Sequence, residues 1–166
     1  MKIRSIFLTL FLLFALTSQS AIRSITVGIN GLTCSMCSRT VEKSMLQLQF
    51  VDKVEMSLEA TEAKILLKPQ SSVSMKEIAR SVKDAGFSVR FISVEFDFGD
   101  LRVGEDGSFF CQGQPFSWVG KRVMPVDKKV RLRLIDPAFI PPNEKSKWTA
   151  LISAAPKSTN LHVVQE

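Results

Sequence analysis

Over residues 24–29 apolar and polar positions alternate, with Ile25, Val27 and Ile29 on one side, which predicts a β-strand. Asn30-Gly31 breaks that pattern, and from Cys37 to about Gln47 the period lengthens. Val41, Met45 and Leu48 recur at i, i+4 and i+7, as on the buried face of a helix. Residues 51–58 predict a second strand with Val54, Met56 and Leu58 inward. A turn at Ala60-Thr61-Glu62 leads to a third strand with Ala63, Ile65 and Leu67, which ends at Pro69 because proline cannot donate to a ladder. Ser74 and Glu77 form a capping-box pattern that opens a second helix, with Ile78, Val82 and Ala85 on one face. Gly86 falls just past its last turn, where a left-handed backbone is needed. Residues 88–96 predict a fourth strand. The order strand, helix, strand, strand, helix, strand is the split βαβ pattern of an α+β, ferredoxin-like fold, two helices covering one face of a four-stranded antiparallel sheet.

Beyond residue 96 the pattern changes, and residues 97–166 predict a second, small β-rich unit. Asp106-Gly107 and Gln112-Gly113-Gln114-Pro115 are turn signals, and Phe109-Phe110 and Phe116-Ser117-Trp118-Val119 flank the second of them like hairpin arms. Val130, Leu132 and Leu134 alternate with charged residues. Residues 148–152 read as one more strand, with Trp118 and Trp148 in the core of this unit, and the polar stretch from Pro156 reads as a frayed tail.

Residues 1–21 stand apart. Lys2 and Arg4 precede an almost unbroken apolar run over residues 6–16, and small and polar residues follow at 17–21, the layout of a secretory signal peptide. The run is shorter than the roughly 20 residues that a bilayer span needs. The reading is therefore an exported, periplasmic protein with no membrane span once the leader is removed, with an uncleaved membrane anchor as the alternative. Residues 22–95 and 96–166 each carry ten basic and eight acidic side chains, so neither half has the concentrated basic face of a nucleic-acid binder. The densest basic cluster, residues 128–133, reads first as the solvated face of a strand and second as a patch for anionic lipid or an acidic partner.

Of the three cysteines, an odd number that argues against a simple disulfide framework, Cys34 and Cys37 form a CxxC pair at a strand–helix junction. A helix N-terminus favours the thiolate, and two thiolates at this spacing can face one point. Soft thiolates select Cu(I) and other soft or borderline ions over hard ones. Two ligands fall short of a closed four-ligand zinc site, so such a pair suits an ion that is handed on. Thiol–disulfide exchange and a plain structural disulfide are the competing readings. The first would want a thioredoxin-like setting, and the second constrains little because the loop is so short.

Residues 25–96 resemble the heavy-metal-associated domain shared by copper chaperones, the amino-terminal modules of copper-transporting P-type ATPases and the periplasmic mercury-binding protein. The resemblance rests on Gly31, Thr33, Cys34 and Cys37 as Gly-x-Thr-Cys-x-x-Cys, on residues 54–59, and on Ala85-Gly86-Phe87. It implies Cu(I), or Hg(II) or Zn(II), held by Cys34 and Cys37, with Gly31 and Thr33 shaping the loop and Phe87 shielding the site. Leu32 stands where the family usually has a Met that packs beneath the site, and Phe50 where a Gly is common.

Other residues attract plainer readings. Met36, between the cysteines, reads as a loop side chain half packed or exposed. Cys111 reads as a lone buried thiol, with a third metal ligand or an intermolecular disulfide as the alternatives. His162 reads as part of the polar tail. No catalytic or cofactor-binding set is identified, and the chain does not read as an enzyme. The function expected is that of a metallochaperone or metal scavenger, passing a soft ion to or from a donor or acceptor protein. The alternatives are a thiol–disulfide exchange protein and a metal-gated interaction protein acting through residues 97–166.

Overall fold

A computed structural model describes residues 21–155 and 159–166. The expected leader, residues 1–21, lies outside these but for Ala21. Strand β1 (Ile22–Asn30) leads into helix α1 (Ser35–Leu46), then β2 (Val51–Ser57), β3 (Glu62–Leu67), helix α2 (Met75–Asp84) and β4 (Ser88–Asp97). These six elements follow the order expected from the sequence, and the four strands stand in the spatial order β2-β3-β1-β4, all antiparallel.

The predicted inward positions mostly carry the packing. Ile25, Val27, Ile29, Val41, Met45, Ile65, Ile78 and Val82 are buried, and Ser74 caps α2 by accepting from the Glu77 N–H at 3.3 Å. Leu58 departs from expectation: it is 45% exposed, because β2 ends at Ser57 and the chain is already turning into β3.

Residues 97–166 join the same sheet. Strands β5 (Ser108–Cys111), β6 (Gln114–Trp118), β7 (Lys129–Leu134) and β8 (Leu161–Gln165) extend it in the order β4-β7-β8-β6-β5. The composition change near residue 96 coincides with no break in the sheet, since β4 pairs with β1 on one side and β7 on the other. Nor does the buried core divide there. Phe96 has its ring centroid 5.2 Å from those of Phe109 and Phe116 and 5.6 Å from that of Phe98.

The β5–β6 hairpin turns at Gln112 and Gly113, both at positive φ (45° and 82°), as a tight hairpin turn requires. Its tip reaches back to the first part of the chain. The Gln112 carbonyl accepts from the Val73 N–H at 2.9 Å, and its side chain accepts from Ile22 N–H and donates to the Ser71 carbonyl.

Two expectations for this region are overturned. Residues 148–152 are not a strand but lie within helix α3 (Lys145–Ala154), which follows a short 3-10 turn (Pro142–Glu144). Trp148 is only half-buried there, with its indole N–H 3.4 Å from Glu144 and Lys147 over its ring. Glu144 sits four residues before Trp148, a spacing that a helix brings onto one face and an extended strand does not.

The polar tail is not frayed over its last stretch. β8 lies inside the sheet between β7 and β6, with Leu161 and Val163 buried. His162, on the other face of the strand, is buried against Asp136. One Asp136 oxygen accepts from the His162 backbone N–H and the other sits on Nδ1, each at 2.7 Å. Asp136 thus satisfies two polar groups that burial would otherwise penalise. Asp136→Ala is expected to lower stability by about 1–3 kcal/mol, measured by denaturant unfolding. Wild-type stability in that variant would show that the pair contributes nothing.

Candidate metal site

The Cys34–Cys37 pair stands where β1 hands over to α1. Gly31 turns the chain at φ +82°, a conformation that side-chain-bearing residues rarely adopt. Thr33 N–H then closes on the Gly31 carbonyl at 3.0 Å, while Leu32 points inward and is 1% exposed. Leu32 thus anchors the loop in the core. Cys34 is the N-cap of α1: its backbone is extended, and its sulfur accepts from the Cys37 N–H at 3.1 Å. Cys37 is the third residue of the helix.

Cys34 is exposed and Cys37 half-buried. The two are joined by a disulfide, with their Cα atoms 5.1 Å apart. Both sulfurs therefore converge on one point at an accessible helix N-terminus. No acidic residue stands in the first turn of α1. Once the disulfide is reduced, the unpaired N–H groups and the dipole favour the thiolate form, with no carboxylate to oppose them.

Phe87 covers one flank. It follows Gly86, whose φ of +89° ends α2, and its ring lies close enough that a Cβ on Gly31 would meet it at 3.8 Å. Met36 is 70% exposed, as expected, although it sits on the helix and not the loop. Cys111 and His162 are not brought here. They lie on β5 and β8, beyond β4 and β7 from β1. Among the described residues, no group of three or more His, Cys, Asp or Glu side chains could hold a metal. The arrangement offers two sulfurs and an open approach.

Residues 26–88 match the heavy-metal-associated domain. The segment covers β1 to the start of β4, with the cysteine loop inside it. Among relatives, the copper-transporting ATPase RAN1 of Arabidopsis thaliana is 32% identical over 76 residues, 46% of this chain and 8% of that protein. The periplasmic component of the mercuric transport protein of Serratia marcescens is 29% identical over 68 residues, 41% of this chain and 74% of that protein. The chain thus spans under a tenth of the plant copper ATPase and about three-quarters of the mercuric transport component. A solved copper-binding domain from HMA7, a P-type ATPase, is 32% identical and covers 41% of this chain and 90% of its own, with a TM-score of 0.38.

Beside the cysteine loop, the structure adds a feature that the motif does not contain. Residues 138–142, which follow β7, come alongside Asn30, Phe87 and Val89. With α2 they frame an open cleft of about 340 Å³ lined in part by Ala138, Ile140 and Pro142. The Asp136-Pro137 and Pro141-Pro142 punctuation was visible in the sequence only as turns. Nothing in it pointed to this neighbourhood.

Cys111 is the remaining thiol. It is 3% exposed, and burial pushes its pKa up to about 11. The thiolate is the reactive form, so Cys111 is silent at neutral pH in the folded protein. After reduction, a thiol-exchange reagent is expected to titrate Cys34 and Cys37 rapidly and Cys111 only on unfolding. Three rapidly reacting thiols in the native protein would contradict this burial.

Proposed function

We propose that the reduced Cys34–Cys37 pair captures a soft metal ion as cargo, Cu(I) first and Hg(II) or Zn(II) as the alternatives, and passes it on by thiolate exchange with a donor or acceptor protein. The observation that carries this reading is the convergence of two accessible sulfurs at a helix N-terminus that has no acidic residue in its first turn, with no third His, Cys, Asp or Glu ligand beside them among the described residues. A two-ligand site leaves coordination positions open to a partner's thiolates, so the ion can move without ever being free. The match to the heavy-metal-associated domain supports heavy-metal binding and a chaperone-like or transport role. The relatives named for copper and for mercuric transport support these two ions equally. Gly31 and Thr33 hold the loop's shape, and Phe87 shields its flank. The chain is read as a carrier and not an enzyme.

Export to the periplasm is part of the proposal. Its supports are the basic start, the apolar run over residues 6–16, and the likeness to a periplasmic transport component.

The Cys34–Cys37 disulfide keeps thiol–disulfide exchange as a second reading. Competition titration with a Cu(I) chelator separates the two. The reduced chain is expected to take up one ion, the oxidised chain none, and neither to turn over a disulfide substrate. Catalytic disulfide reduction without stoichiometric uptake would favour exchange and retire the carrier reading.

A further inference from the structure

The end of the sheet opposite the cysteine loop carries a basic, apolar-tipped projection that the metal chemistry does not use. Residues 119–128 link β6 to β7. Within them Val123 is 48% exposed, Met124 46% and Val126 103%. The projection is built and held. The Val123 backbone exchanges two hydrogen bonds of 2.9 Å with the Gln165 side chain, and Lys128 N–H closes a turn on the Pro125 carbonyl at 3.0 Å. Val126 stands at the corner of that turn.

Exposed cations lie in and next to this segment: Lys121 and Lys128 within it, and Lys129 and Arg131 at the start of β7, where Arg131 stands opposite Glu95 of β4. Arg122 also belongs to the segment, but its guanidinium is held by the Gly104 and Glu105 carbonyls and faces Asp106. Over residues 119–131 the one carboxylate is Asp127, and its Oδ1 accepts from the Lys129 N–H. Asp97, beside Lys129, is engaged by Arg23. An apolar tip flanked in the chain by exposed lysines fits a surface that is anionic at its face and apolar beneath, which is the chemistry of an acidic lipid bilayer.

The Asp97 N–H of β4 donates to the Ala21 carbonyl at 2.7 Å, and the same residue is in register with Lys129 of β7. The start of β1, which follows the expected leader, therefore lies about two strand spacings, roughly 10 Å, from the basic projection. β1 then carries the chain about 30 Å away to the cysteine loop.

We infer that this end of the molecule docks on an anionic lipid surface, with Val123, Met124 and Val126 entering the headgroup region and Lys121, Lys128, Lys129 and Arg131 facing the phosphates. Docked in this way, the protein keeps the Cys34 loop pointing off the surface and open to a partner. No helix among the described residues is long and apolar enough to cross a membrane.

The test places an indole at the tip of the full chain, Val126→Trp, and mixes it with vesicles of phosphatidylglycerol and phosphatidylcholine or of phosphatidylcholine alone. The wild-type spectrum is subtracted, and circular dichroism checks the fold. Expected are a blue shift and quenching by brominated acyl chains on the acidic vesicles only. Partitioning should fall about fivefold for each charge removed in Lys121→Gln/Lys128→Gln/Lys129→Gln and should weaken in high salt. Sedimentation with vesicles while the introduced indole stays unshifted would assign membrane binding to residues 6–16 and overturn the inference. So would equal insertion into neutral vesicles, or no binding at all. Capture of polyglutamate by the same lysines without any vesicle response would assign the face to an acidic protein instead.

Discussion

Replacing Cys34 and Cys37 together by serine is expected to lower Cu(I) affinity by about a thousandfold or more, on the order of 4 kcal/mol or beyond. A hydroxyl is a hard, protonated ligand that a soft ion does not prefer. The loss should be clean because the fold does not depend on the pair. Cys34 is an exposed N-cap whose sulfur accepts from the Cys37 N–H. Serine is among the preferred residues at that position and its oxygen can accept the same bond. The disulfide closes so short a loop that its removal frees little of the unfolded chain. The variant's melting curve should therefore lie close to that of the wild type, while a chelator strips its copper readily. Affinity that survives the double substitution would place the ion elsewhere in the chain and end the carrier reading. Single substitutions sharpen the result, since two sulfurs sharing one ion predict that either change alone removes most of the binding.

Phe96→Ala is expected to cost about 3–5 kcal/mol, a large share of the 5–15 kcal/mol that holds a typical domain together. Phe96 is fully buried, and its ring meets Phe109 and Phe116 edge-on with centroids 5.2 Å away. Truncation leaves a cavity that three other rings must cross to fill. The measurement also tests the expected boundary between residues 96 and 97. Trp118, buried beside Phe98 with centroids 5.5 Å apart, reports on the later strands through its fluorescence. Far-ultraviolet circular dichroism reports on α1 and α2, with a smaller share from α3. If the shared sheet and core fold together, both probes should show one coincident transition that moves down in the variant. A transition that shifts for one probe and not the other would mean that residues 97–166 fold by themselves, as a separate unit would.

The first six elements were legible because each depends on neighbours in sequence. Alternation at Ile25, Val27 and Ile29 marks a strand, and Ser74 caps the helix that it precedes. The cysteine loop was legible for the same reason: Gly31, Cys34 and Cys37 lie within seven residues, and the helix that orders them starts there. Residues 128–133 alternate as expected, with Val130, Leu132 and Leu134 buried and Lys129 and Arg131 exposed.

The errors fall where local signals were weak and distant partners decided. Leu161-His162-Val163 is too short and too polar to announce an interior strand. Its place between β7 and β6 depends on Asp136, twenty-six residues earlier, which neutralises the cost of burying His162 and its backbone N–H. Residues 148–152 carry apolar groups in a spacing that suits a strand or a helix, and contacts with Glu144 settle it as helix.

The sequence by itself determined the βαββαβ order, the helix caps and the accessible CxxC pair, because these rest on period, capping chemistry and spacing within a few residues. Only the tertiary structure decided that β7 docks on β4 to continue the sheet, that Gln112 ties the β5–β6 hairpin to Ile22 and Val73, and that residues 138–142 stand beside Phe87. The reason is physical. Taken with only the first three strands, β4 would be an edge that offers its open row of N–H and C=O groups to any matching partner, and which distant segment takes it depends on apolar burial summed over the whole chain.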